Sequence, residues 1–192
     1  APAASAAEQK KIAITAIADH PALDTIRAGV LDGLKAEGFE EGKNLTVDFQ
    51  SAQGSTANAA QIAKKFAGAN PDAIIAITTP SAQAVAAATK NIPLIYTAVT
   101  DPVGAKLVPS LEPSHTNITG VSDELPVGPQ IDLMKKLVPN LKTIGYVYSP
   151  GEVNSTTVLE RLKAKAAEQN IEVAAAPAQR SADVLTAARS LG

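Results

Sequence analysis

Apolar and polar positions repeat as a block along this chain, once in residues 11–66 and again in residues 142–191. Each block opens with a short apolar run, KKIAITAI or KTIGYVYS, and a polar loop, ADHPALD or PGEVNS. Helical spacing follows in TIRAGVLDGLKAEG and in TTVLERLKAKAAEQ. A second apolar run (LTVDFQ, IEVAAAP), a polar turn (SAQGST, AQRS) and a second helical stretch (ANAAQIAKKF, ADVLTAARSL) complete each copy. Short apolar runs alternating with amphipathic helices predict parallel strands joined by crossover helices. Two such openings predict two sheets, hence two lobes, with a cleft between lobes as the natural ligand site.

The first lobe reads β-α-β-α-β-α-β. Strands are predicted over 11–17, 45–50, 73–77 and 93–99, and helices from Pro21, Thr56 and Pro80, the last with Thr79 as its cap. Leu23, Ile26, Val30, Leu31 and Leu34 recur at helical spacing, and Gly38 suits a left-handed residue past the helix end. AIIAI and IPLIY are apolar throughout, as strands covered on both faces should be. Periodicity fails over 101–113, where Pro102, Pro109 and Pro113 predict a loop with a short helical piece. A short strand over 117–121, a crossing segment SDELP and a helix over 128–137 follow. The division expected is a leader over 1–9, an N-terminal α/β lobe over 10–121, and the first part of a C-terminal α/β lobe over 122–192. That second lobe holds two clear strands, and a two-stranded parallel sheet is a poor core. The fold class is therefore α/β, two Rossmann-like lobes with parallel sheets, the second lobe incomplete and the whole protein longer.

Composition narrows the function. Seventeen basic and 19 acidic side chains leave a net charge of −2 with no basic stripe, which argues against a nucleic-acid partner. Aromatic residues are 3% of the 192 and Trp is absent, which disfavours a stacked sugar. Cysteine is absent, which removes disulfides, thiolate nucleophiles and Cys-based zinc sites. No Gly-x-Ser-x-Gly, HExxH or Gly-x-Gly-x-x-Gly motif occurs, so neither a catalytic residue nor a metal nor a cofactor is expected. The start, APAASAAEQ, resembles what remains after a signal peptide is cleaved and reads equally as an unpacked leader. The uncharged stretch 73–89 is interrupted by Thr78, Thr79, Pro80, Ser81 and Gln83, and so reads as strand, turn and helix rather than a membrane span.

Open parallel sheets bind ligands beyond the carboxyl ends of their strands. Four loops meet that description: 18–24 (ADHPALD), 78–81 (TTPS), 100–103 (TDPV) and 149–155 (SPGEVNS). Helix starts carry unpaired N–H groups and partial positive charge, which suits a carboxylate. Asp19, Asp101 and Glu152 in the same loops could hold an ammonium, so the set suits a zwitterion. Other readings stand beside this one. Thr79 and Ser155 serve equally well as helix caps. Glu152 alone reads as solvated, and His20 before Pro21 as a turn residue.

Several runs together resemble a known family. DHPALD (19–24), DGLKAEGFEEGKN (32–44), AITTPSAQA (76–84), IYTAVTDPVGAKLV (95–108), NITGVSDELPV (117–127) and YSPGEVNS (148–155) resemble the ABC-transporter solute-binding proteins of the aromatic amino acid, tryptophan-binding-like family. No single run carries the likeness; their order does. The resemblance implies a type I periplasmic binding protein fold, with two α/β lobes closing on a small ligand and no chemical reaction. It implies that His20, Pro21, Leu23, Thr79, Pro80, Ser81, Thr100 and Asp101 line the site from the first lobe. Pro150, Gly151, Glu152, Asn154 and Ser155 would line it from the second. Thr79 and Ser81 would hold a carboxylate, Asp101 or Glu152 would face an ammonium, and the 20–23 loop would wall the ring. It further implies a secreted monomer, periplasmic or extracellular and membrane-anchored, serving an ABC importer's permease. A ligand-sensing domain of a receptor or regulator, and an α/β enzyme, are the competing readings.

Overall fold

Pro21, with φ pre-set for a first helical turn, begins α1 immediately after an extended His20. Local signals of this kind bound most elements of the computed structural model, which describes residues 8–113 and 115–192. The part of the expected leader over 1–7 lies outside the described residues. The chain forms two compact units, one through Asp123 and one over Glu124–Gly192.

The first unit contains β1 (Lys10–Ala16), α1 (Pro21–Ala36), β2 (Leu45–Ser51), α2 (Thr56–Ala69), β3 (Ala73–Ile77), α3 (Thr79–Ala88), β4 (Leu94–Val99) and β5 (Ile118–Ser122). Its five strands are parallel and ordered β2-β1-β3-β4-β5. Ile14 sits opposite Phe49 on one side and Ile75 on the other. Ile12, Ile14, Ala16, Ile75 and Ile77 form one buried face, against which Leu23, Ile26, Val30, Leu31 and Leu34 of α1 pack. On the opposite face, α2 and α3 pack on each other, α2 against β1 and α3 against β3 and β4. Ile14, Ile74, Ile77 and Leu94 are fully excluded from water, each worth about 1.5–3 kcal/mol of transfer free energy. The Arg27 guanidinium lies 3.9 Å from the Phe49 ring centroid and 3.3 Å from Asp24, which seats the start of α1 beside β2.

Helix ends follow their side chains. Ser55 Oγ accepts from the Asn58 N–H at 3.2 Å to start α2, and Asn70 ends it at φ +48. Gly38 takes φ +89 after α1, as its position predicts. Three boundaries differ from the sequence reading. The residue capping α3 is Thr78, not Thr79, and its side chain makes no cap bond. The helix of the second unit that follows Glu152, α5 (Val153–Ala167), starts at Val153, not Thr156, because extended Glu152 already offers its carbonyl to the N–H groups of Ser155 and Thr156. The last helix is shortened to α6 (Val184–Arg189), preceded by a 3₁₀ turn over Ser181–Asp183. A paired contact from Arg180 to Asp183, at 3.0 and 3.1 Å, closes that tighter turn. Over 101–113 the chain makes turns, closed by the Ala105 N–H on the Asp101 carbonyl and the Lys106 N–H on the Val103 carbonyl, each at 2.9 Å.

The second unit contains α4 (Val127–Leu137), β6 (Thr143–Tyr148), α5 (Val153–Ala167), β7 (Glu172–Pro177) and α6. β6 and β7 pair in parallel, with Ile144 opposite Val173 and Tyr148 opposite Pro177. Ile131, Ile144, Leu162, Ala166 and Ile171 make its main cluster. Ala176, Ala178 and Ala187 make a smaller one with Val147 and Leu191.

One glycine is required by its neighbour. Gly120 sits opposite Tyr96 in the β4–β5 register, and a Cβ there would overlap the Tyr96 carbonyl and lie 2.5 Å from its ring. Gly120→Ala should therefore cost about 1–3 kcal/mol in urea unfolding. Gly128→Ala, whose Cβ would meet nothing within 4 Å, should be neutral or stabilise by up to about 1 kcal/mol.

Candidate functional site

The order β2-β1-β3-β4-β5 contains one reversal. The chain leaves β1 toward β2, then returns past β1 to β3. Crossovers on either side of that reversal pass to opposite faces, so the loops after β1 and β3 separate and leave a crevice at the carboxyl edge. β4 lies next to β3, so its exit opens on the same edge. The structure thus gathers His20, Pro21 and Leu23, then Thr79, Pro80 and Ser81, then Thr100 and Asp101, around one end of the first sheet.

Each group is held differently. His20 is exposed and caps α1: its Nδ1 accepts from the Ala22 N–H at 3.1 Å and its carbonyl from the Asp24 N–H at 3.0 Å. Pro21 is exposed and Leu23 half-buried against the core. Thr100 and Asp101 are half-buried. Asp101 Oδ1 accepts from the Gly104 N–H at 2.8 Å, and a Cβ on residue 104 would strike the carboxylate. Gly104 is thus what lets the aspartate fold over its own turn. Gln83 Nε2 donates to the Ala105 carbonyl at 3.2 Å, tying this turn to α3. Burial raises the Tyr96 phenol above its ordinary 10.0, so it remains a neutral hydroxyl.

The first turn of α3 is unusual. Thr79 is 2% exposed and Ser81 fully buried, yet neither hydroxyl has a hydrogen-bond partner within the protein. Thr78 Oγ1 is also buried and unpartnered. Thr78 itself adopts φ +86, ψ 157, a region that costs about 1–3 kcal/mol for a residue other than glycine. A buried hydroxyl without a partner costs about 1–3 kcal/mol more. Three such oxygens within four residues, beside N–H groups that have no acceptor inside the helix, form a neutral donor cluster suited to a carboxylate.

In the second unit the loop after β6 carries the remaining candidates. Pro150 and Gly151 are exposed in a turn. Glu152 is the capping residue of α5, and its Oε2 accepts from Asn154 Nδ2 at 3.3 Å. Asn154 Oδ1 is buried with no partner. Ser155 is not the helix cap that one sequence reading made it: its Oγ accepts from the Ser149 N–H at 2.8 Å and braces the loop. Sequence reasoning placed Thr78 in the 78–81 loop without singling it out, and gave Gln83 and Gly104 no role. No local pattern marks a threonine for positive φ, where glycine is the expectation. Among the described residues, no three His, Asp or Glu side chains converge on a metal-sized site.

Residues 11–192 match the family described as ABC transporter substrate binding protein. The chain belongs to that family. It is 42% identical over 184 residues to a tyrosine-binding protein of Clostridioides difficile, a match covering 96% of this chain and 53% of that one. A crystal structure of a conserved domain protein from Vibrio cholerae is 52% identical with a TM-score of 0.94, over 95% of this chain and 62% of the other. An ABC domain from Streptococcus pneumonia in complex with L-Trp is 37% identical with a TM-score of 0.90, over 94% of this chain and 61% of the other. The chain thus spans about half the length of the curated relative it matches. The α/β arrangement is that of type I periplasmic binding proteins, and proteins of this family bind substrates rather than transform them.

The unpartnered oxygens make a test in the ligand-free chain. Thr79→Val and Ser81→Ala should stabilise it in urea unfolding or change it by no more than about 0.5 kcal/mol, since each removes a buried group that gains nothing. Ser155→Ala, which removes a made hydrogen bond, should cost about 1 kcal/mol.

Proposed function

We propose that this substrate-binding protein takes up an amino acid with an aromatic side chain and presents it to the permease of an ABC importer on the extracytoplasmic side of the membrane. The observation that carries the reading is the cluster of buried, unpartnered hydroxyls at the start of α3, at the crevice edge of the first sheet. In this reading Thr79 Oγ1, Ser81 Oγ and the first-turn N–H groups of α3 hold the α-carboxylate. The Asp101 carboxylate faces the ammonium from the β4 exit. The 20–23 loop supplies the wall for the ring. The tyrosine-binding relative and the L-Trp complex support an aromatic ligand. Among the described residues no helix is long and apolar enough to cross a membrane.

Magnitudes are consistent with a site shielded from water. Micromolar affinity needs about 8 kcal/mol. Burying one aromatic ring contributes about 1.5–3 kcal/mol, and hydrogen bonds to charged groups about 1.5–3 kcal/mol each. Two or three such bonds together with the ring reach the required range only if water is excluded around them.

The test is a thermal-shift panel of free amino acids on the full chain. At 100 times its dissociation constant a ligand adds about 2.7 kcal/mol, about 5–10 °C for a chain of this size. L-tyrosine or L-tryptophan should give that shift, and their α-amides, which lack the carboxylate, should not. A shift from some other solute class but from no aromatic amino acid would sink the ligand assignment. Asp101→Asn should weaken binding about tenfold through the lost charge without lowering the melting temperature of the free protein by more than a few degrees.

A further inference from the structure

Thr78 carries two unfavourable features at once. Its backbone lies at φ +86, ψ 157, where a β-branched side chain is a rare outlier. Its hydroxyl oxygen is buried with no partner. A glycine would adopt the same backbone without strain and would bury no hydroxyl. The fold therefore gains nothing from threonine here.

The surroundings show how the strained geometry is maintained. The Thr78 N–H donates to the Thr97 carbonyl of β4 at 2.9 Å, and its carbonyl accepts from the Ala82 N–H of α3 at 3.0 Å. Beside it, Ala98 takes φ +54, and the β4–β5 register slips between Tyr96 and Val99. One residue thus links a deformed strand end to the first turn of α3. What threonine offers and glycine does not is an oxygen, held in the same short turn as those of Thr79 and Ser81.

We infer that Thr78 is a ligand-contacting residue whose hydroxyl donates to the carboxylate held at the start of α3, completing a three-hydroxyl cradle with Thr79 and Ser81. This rests on the reading that the carboxyl edge of the first sheet receives a carboxylate. The strained backbone is the device that turns the Thr78 oxygen toward the same anion as its neighbours. The cradle is made of neutral donors: residues 78–81 contain no lysine or arginine. Such a site accepts a zwitterion's carboxylate with little dependence on salt.

Titration calorimetry of the full chain with L-tyrosine and L-tryptophan tests this, using Thr78→Val, Thr78→Ser and Thr78→Gly beside the wild type, with each melting temperature measured without ligand. Thr78→Val should bind about tenfold more weakly or worse, as loss of a hydrogen bond to a charged group implies. Thr78→Ser should stay within about threefold of the wild type. Thr78→Gly should melt higher than the wild type yet bind weakly, a split that a purely structural role would not produce. Should Thr78→Val fail to fold, the contrast between serine and glycine decides. Undiminished binding by Thr78→Val and Thr78→Gly, with Thr79→Val and Ser81→Ala both weakened, would remove Thr78 and leave the carboxylate reading standing. Undiminished binding by all of these variants would overturn both, as would a wild-type chain that takes neither amino acid.

Discussion

Parallel strands joined by right-handed crossovers must all exit at the same edge of their sheet, and a single reversal of strand order must open a crevice there. In the first unit that reversal falls between β1 and β3, with β4 alongside. Everything chemical in this unit depends on it. His20, the 78–81 turn and Asp101 are separated by dozens of residues in sequence and share one edge only because β1, β3 and β4 are neighbours in register. The apolar faces of those strands are what enforce the order. Ile14, Ile75 and Ile77 leave no polar edge along which β3 could pair elsewhere without exposing them.

The start of α3 shows a second constraint, between stability and binding. Protein interiors satisfy nearly all their buried polar atoms. Here the exceptions are concentrated: Thr78, Thr79 and Ser81 supply three of the buried oxygens lacking a partner among the described residues, and Thr78 adds backbone strain. A helix start without such groups would be more stable. Outside this turn, Thr15 Oγ1 on β1 is the other buried side-chain oxygen without a partner among the described residues of the first unit, and donors already placed need not reorganise to meet an acceptor. Asp101 shows the complementary solution. Gly104 clears space for its carboxylate, whose Oδ1 is held by the N–H of its own turn.

Membership of the substrate-binding family agrees with this division of labour. The buried core of each unit supports loops, and the loops hold the polar groups. Within the second unit, the loop after β6 repeats the plan of the first unit's exits on a smaller sheet: Ser155 braces the turn, while Asn154 donates to the carboxylate of Glu152 at the start of α5. The exposed apolar residues Leu133, Leu137 and Leu185 lie on that smaller unit, whose two strands bury less than the five of the first.

Much of the architecture was legible from the residues themselves. Strand and helix alternation, the boundaries of β3 and α2's start, and the turn at Gly38 are encoded in local apolar spacing and in side chains that bond their own backbone, and such signals act within a few residues. The strand-exit loops were legible for the same reason. Where helices began was less so at α3 and α5: Thr79 and Ser155 have cap chemistry, but the cap position went to Thr78 and Glu152, whose carbonyls accept from Ala82 and from Ser155 and Thr156. Only the tertiary structure decided that Thr78 is forced to positive φ, since the cause is a hydrogen bond to β4, a different strand. Only it decided that three hydroxyls end up buried without partners, because burial and pairing are properties of what packs around a residue, and a chain read one residue at a time does not contain its neighbours.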